Sequence, residues 1–113
     1  MSNELKFITD GYLYRLMRGN FEEYRGKVMY RESFGDVCAF YVYDDNGNII
    51  KDLSCPMNEG EQEYNVVWFK ERNKDAAVKL FINYKLDQIN EAMRIIETHK
   101  HMINILKKEL ESE

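Results

Sequence analysis

Hydrophobic and polar positions follow two different rhythms along this chain. Residues 37–43 (VCAFYVY) form an unbroken β-branched and aromatic run, Asp44-Asp45-Asn46-Gly47-Asn48 interrupts it, and Ile49-Ile50 resumes it. Asn-Gly tolerates the positive φ angles of a tight hairpin turn, so this pattern predicts two antiparallel strands. A further strand is expected before them at residues 26–34 (GKVMYRESF), joined to them by a short turn at Gly35-Asp36. Another is expected at residues 64–69 (YNVVWF), entered from the polar loop 56–63, with Trp68 and Phe69 in the core. The opening stretch, residues 5–19, fits neither a period of 2 nor of 3.6, because Phe7, Tyr12, Tyr14, Leu16 and Met17 are irregularly spaced. It reads as strand.

The rhythm changes at Asn73, which suits a helix N-cap, while Asp75 suits the positive end of a helix dipole. The last Gly is Gly60 and the single Pro is Pro56, so nothing interrupts a helix from near Lys74 to about Glu111. Ile82, Ile89, Ile96, Ile103 and Leu110 recur every seven residues. Leu86 and Met93 fall four after an isoleucine, and Ala92, His99 and Leu106 three after one, which makes a heptad seam. Such a helix would be about 57 Å long, whereas a domain of this size has a radius of gyration of about 13 Å. Three arrangements reconcile the two: a helical hairpin turning near Thr98–His101, a bent helix over a wider sheet, or pairing with another chain. Thr98-His99-Lys100-His101 contains no Gly or Pro, which favours self-association, with Ala77, Val78, Phe81 and Ile82 covering the sheet. The expected class is α+β in a single domain of residues 1–113. Residues 1–72 would form an antiparallel sheet of about four strands, and residues 73–113 a long helix that mediates oligomerisation.

Composition narrows the function. The 113 residues are 44% hydrophobic and 32% charged, enough apolar material for a core. A net charge of −4 argues against general nucleic-acid binding. The charge is uneven: residues 1–73 carry 9 basic and 13 acidic side chains, residues 74–113 carry 7 of each. No run approaches the ~20 apolar residues of a membrane span. The opening MSNELKFITDGY lacks the basic start and apolar run of a secretory signal, so Cys38 and Cys55 are expected as reduced thiols in a cytoplasmic protein.

No catalytic or cofactor pattern emerges. His99 and His101, two apart on a helix, point to nearly opposite sides and would not share one metal ion, while His99 falls in the seam. Phosphate-cradling glycine loops are missing from the sequence, and no thiol or hydroxyl has a neighbouring base. Glu22-Glu23, in an expected connection, and Asp44-Asp45, at the hairpin tip, read as solvated acids. The expectation is a non-enzymatic protein without metal or cofactor.

The suggestive feature is a basic and aromatic patch between Tyr12 and Arg31. Its candidate binding residues are Tyr12, Arg15, Arg18, Tyr24, Arg25 and Arg31, with Tyr14, Lys27 and Tyr30 interspersed. Arginine forks grip phosphates and tyrosine faces stack on bases, so a small anionic, nucleotide-like ligand fits this chemistry. Arg94, Lys100 and Lys107 on the helix would complete such a pocket across a subunit boundary. The competing reading is an ordinary sheet surface in which Arg pairs with Glu and Tyr shields the edge.

The stretch of residues 66–81, VVWFKERNKDAAVKLF, running from strand into helix, resembles small bacteriophage proteins, and the Lys/Asn/Ile/Glu/Tyr-rich composition suits an AT-rich phage genome. The whole-chain order of sheet then helix is similar to the anti-Thoeris sponge family. That resemblance implies an oligomer in the host cytoplasm that sequesters a cyclic nucleotide immune signal without cleaving it. No binding residue is carried over from that family. The alternative is a protein-interaction module that inhibits a host or defence enzyme through its helix or a sheet edge.

Overall fold

The computed structural model describes residues 5–31 and 37–112, and all of their side chains except those of Arg31 and Val37. Five strands precede one helix: β1 Leu5–Met17, β2 Asn20–Arg31, β3 Val37–Tyr43, β4 Ile49–Pro56, β5 Val66–Phe69 and α1 Lys74–Glu111. Two compact units are distinguished, residues 1–81 and residues 82–113. The α+β order stands, and the sheet has five strands where about four were expected.

The opening stretch is the expected strand, β1, and it forms with β2 a long hairpin. Its two-residue turn, Arg18-Gly19, holds φ at 51° and 82°. Both angles are positive, as in the mirror-image turns whose twist matches paired strands. An arginine in that position gives no turn signal, so the expected strand at 26–34 in fact begins at Asn20. Glu22 and Glu23 consequently lie in β2 rather than in a connection. The turn expected at Gly35-Asp36, and Glu32, Ser33 and Phe34 of that strand, lie outside the described residues.

The other hairpin forms where Asn-Gly predicted it, but with a longer loop. Asp44 Oδ1 accepts hydrogen bonds from the amides of Asn46 (2.9 Å) and Asn48 (2.8 Å), and Gly47 supplies the positive φ. These bonds, that from Asn48 foremost, hold the Asp44 carboxyl below its ordinary range. Asp44 is therefore a loop brace, not a freely solvated acid.

All strand pairs are antiparallel, in the order β4-β3-β2-β1-β5. Strand direction alternates from β1 to β4 and β5 is antiparallel to β1, so the edge strands β4 and β5 run the same way. The sheet curls until these edges meet, where Trp68 Nε1 donates to the Pro56 carbonyl at 2.5 Å. Leu13, Val28, Cys38, Phe40, Cys55 and Trp68, at alternate strand positions, fill the concave side of this incomplete barrel. Tight curvature has a visible cause. Gly11 and Gly26 face each other across β1–β2, and a Cβ at Gly26 would lie 2.2 Å from the Tyr41 carbonyl oxygen. Only glycine lets the strands approach so closely.

Cys38 and Cys55 are Cα partners in the β3–β4 ladder and are free, buried thiols. Burial pushes the Cys55 thiol up to about 12 and raises that of Cys38, so neither is reactive near neutral pH. Cys55 belongs to the end of β4.

The convex side carries a second cluster, in which Tyr14 and Val67 of the sheet meet Ala77 and Phe81 of the helix. Helix α1 starts where its N-cap predicted: Asn73 Oδ1 accepts from the Ala76 amide at 3.4 Å. It runs without a break to Glu111, so the hairpin alternative does not occur. Ile82, expected to help cover the sheet, is 53% exposed.

Candidate functional site

The predicted basic patch is distributed by strand alternation, because residues one apart on a strand face opposite sides. Arg15 and Tyr24 share one face, on which Arg15 Nε donates to Glu22 Oε1 at 2.6 Å and the Tyr24 hydroxyl donates to Glu22 Oε2 at 2.8 Å. The Arg15 guanidinium and the Lys51 ammonium lie 5.8 and 5.4 Å from the centre of the Tyr24 ring. The hydrogen bond from Arg15, and then that from Tyr24, hold the Glu22 carboxyl below its ordinary range, and the same contact raises Arg15. Arg15 is thus matched by its own carboxylate. One carboxylate, Glu22, takes both the Arg15 Nε and the Tyr24 hydroxyl donors that an anion would need.

The other face is more open. Tyr12 lies opposite Arg25, Asp10 opposite Lys27, and Lys27 opposite Tyr41. Asp10, Arg25, Gly26, Lys27 and Tyr43 line a shallow hollow of about 280 Å³. Lys27 Nζ stands 5.3 Å from the Tyr43 ring centre and 5.7 Å from that of Phe7. Arg25 and Lys27 are exposed, and among the described residues neither forms an ion pair. Two cations, flanking aromatic rings and a single carboxylate make this the better anion-binding surface. Sequence reading placed Tyr12 and Arg25 among the candidates. It missed the part of Tyr43, which only pairing of β2 with β3 brings alongside.

Arg18 sits exposed in the β1–β2 turn, apart from both groups. The side chain of Arg31 lies outside the described residues. Arg94 and Lys100 lie on the helix, in the second unit, where Arg94 pairs with Glu91 and Lys100 Nζ with Glu97 Oε1 at 3.4 Å. Exposed pairs of this kind contribute about 0–1 kcal/mol and exchange readily for other partners.

A third polar group is structural. The Asn73 amide donates to the Tyr14 hydroxyl at 2.9 Å, and Arg72 Nε lies 3.0 Å from Glu23 Oε2. Burial and then the hydrogen bond to Glu23 push the Tyr14 phenol up to about 12. Burial opposes the Glu23 charge, but the bonds from Tyr14 and Arg72 outweigh it and keep this carboxyl low. The network fastens the start of α1 to β1 and β2. Glu22 and Glu23 are therefore both engaged rather than freely solvated.

The second unit presents a different kind of surface. Ile82, Leu86, Ile89, Met93, Ile96, His99, Ile103, Leu106 and Leu110, the predicted seam, are all exposed on the helix. Exposure reaches 78% at Leu110, and Ile95, Met102 and Ile105 are exposed beside them. These side chains form an apolar row along the helix that is exposed among the described residues. No described helix is long and apolar enough to cross a membrane. Among the described residues no group of three His, Cys, Asp or Glu side chains is arranged to hold a metal ion. Comparison with protein-family models, with curated proteins and with solved structures finds no match to this chain.

Proposed function

We propose that this protein is a non-enzymatic binding protein that joins copies of itself through the distal half of α1 and holds a small phosphate-bearing ligand on its barrel. The observation that carries this reading is the heptad-spaced row of exposed isoleucines and leucines from Ile82 to Leu110. Water-exposed apolar side chains at this spacing gain about 25 cal/mol for each Å² they remove from solvent by pairing. Arg25 and Lys27, with Tyr12 and Tyr43, supply the ligand surface. The resemblance to anti-Thoeris sponges gives the specific form: sequestration of a cyclic nucleotide signal in the cytoplasm of a phage-infected host.

Thermal unfolding of the full chain against cyclic di- and trinucleotides and cyclic ADP-ribose isomers tests the ligand. A ligand at a hundred times its Kd stabilises the native state by about 2.7 kcal/mol, and Arg25→Glu with Lys27→Glu is expected to abolish the shift. No shift with any of these compounds contradicts the sponge. The second reading, an inhibitor docking on a host or defence enzyme, is favoured by the same apolar row. It predicts inhibition that survives the Arg25 and Lys27 reversals and is lost with Ile96→Asp and Ile103→Asp.

A further inference from the structure

We infer that the distal helix assembles as a bundle of more than two chains, rather than as a two-stranded coiled coil. This deepens the self-assembly reading above and rests on it. The first observation is the stagger of the seam. From Ile82 to Leu110 successive seam residues are spaced four, three, four, three, three, four, three and four apart. A regular heptad alternates three and four, so the two consecutive threes around Ile96 mark a change of phase, a local overwinding.

Before that point the four-then-three order puts Ile82, Ile89 and Ile96 at d positions, with Leu86 and Met93 at a positions. Leucine at a with isoleucine at d disfavours the two-stranded form and shifts preference to three or four strands. A β-branched side chain fits poorly at d in a dimer, where its Cα–Cβ bond points directly at the partner backbone.

After Ile96 the phase reverses. Ile96, Ile103 and Leu110 become a residues and His99 and Leu106 d residues, an arrangement a dimer would accept. Here the width of the stripe decides. Ile95 and Met102 occupy the neighbouring g positions and are 49% and 53% exposed. A stripe of a, d and g residues is the width of a helix that faces a bundle core, whereas a two-stranded seam uses a and d alone. In a dimer Ile95 and Met102 would stay wet. With two neighbouring helices they are covered.

Area and charge agree with further copies of this chain as the occupants. The stripe is about 42 Å long on a helix about 10–12 Å across. A face of somewhat under half the circumference then offers on the order of 700 Å² per chain, close to the ~800 Å² each partner gives a standard interface. Residues 74–113 carry seven basic and seven acidic side chains, so copies do not repel one another.

Light scattering on the full chain at micromolar concentration tests the inference. The expected mass is three or four times the 13.6 kDa of one chain. The variant Ile82→Leu, Leu86→Ile, Ile89→Leu, Met93→Ile exchanges the a and d residue types while keeping their apolar character. It is expected to lower the order to two, with helical ellipticity and Trp68 emission unchanged. Narrowing the stripe with Ile95→Lys and Met102→Lys is expected to do the same. A wild-type dimer overturns this inference and leaves helix-mediated assembly standing, whereas a monomer overturns both. Variants that retain the wild-type mass also contradict it, because residue type and stripe width would then not set the order.

Discussion

The barrel interior and the distal helix use the same apolar chemistry with opposite outcomes. Leu13, Phe40 and Trp68 are at most 2% exposed, whereas Ile82, Leu86, Ile89 and Ile96 are each about half exposed. Inside the barrel, curvature closes the concave face on itself, and no second layer is needed to bury it. A lone helix has no such recourse, since its side chains radiate outward and need another surface to leave water. One region buries its apolar side chains within its own chain, while the other leaves them exposed, and that contrast is what the proposed self-assembly would resolve.

Substitutions probe the two regions separately. The largest effect is expected at Gly26, because an added methyl would meet the Tyr41 carbonyl oxygen and the Phe40 ring at 2.2 and 2.8 Å. Backbone cannot yield as a flexible side chain does, so Gly26→Ala is expected to cost about 3 kcal/mol or more and remove the folded barrel in urea titration. Phe81→Ala follows, at about 3 kcal/mol, since Phe81 fills the space between the helix start, Tyr14 and Phe21. Its signature is a lower urea midpoint with the distal helix still able to associate.

An alkaline titration reads the Tyr14 network. The Tyr14 phenol is raised from 10.0 to about 12 in the folded chain. A raised folded value means stability fully present below the unfolded value and lost as pH rises through the folded one, here between about 10 and 12. Tyr14→Phe is expected to remove this alkaline component of the decline. The smallest effect is at His99, the polar member of the seam. His99→Leu is expected to tighten association about tenfold, about 1.4 kcal/mol, and to leave the barrel's Trp68 emission unchanged.

The legibility of the sequence tracks the range of the forces involved. Asn73 and the unbroken run after it are local signals, and the helix boundaries follow from them. The Asn46-Gly47 hairpin was legible for the same reason. The β1–β2 hairpin was not, because Arg18 accepts a positive φ only under the constraint of the paired strands around it. Its omission displaced Glu22 and Glu23 from a strand to a loop and hid their partners, Arg15, Tyr24, Tyr14 and Arg72. The basic patch looked continuous in sequence, but pleating sends Arg15 and Arg25 to opposite faces. Lys51 and Tyr43, which complete the two groups, come from strands far along the chain.

Helix-mediated assembly is decided by sedimentation equilibrium of the full chain at micromolar concentration beside the Ile96→Asp, Ile103→Asp variant. The expected result is an assembled wild type and a variant of single-chain mass whose Trp68 emission remains that of a folded barrel. A wild type that sediments as one well-folded chain would contradict it.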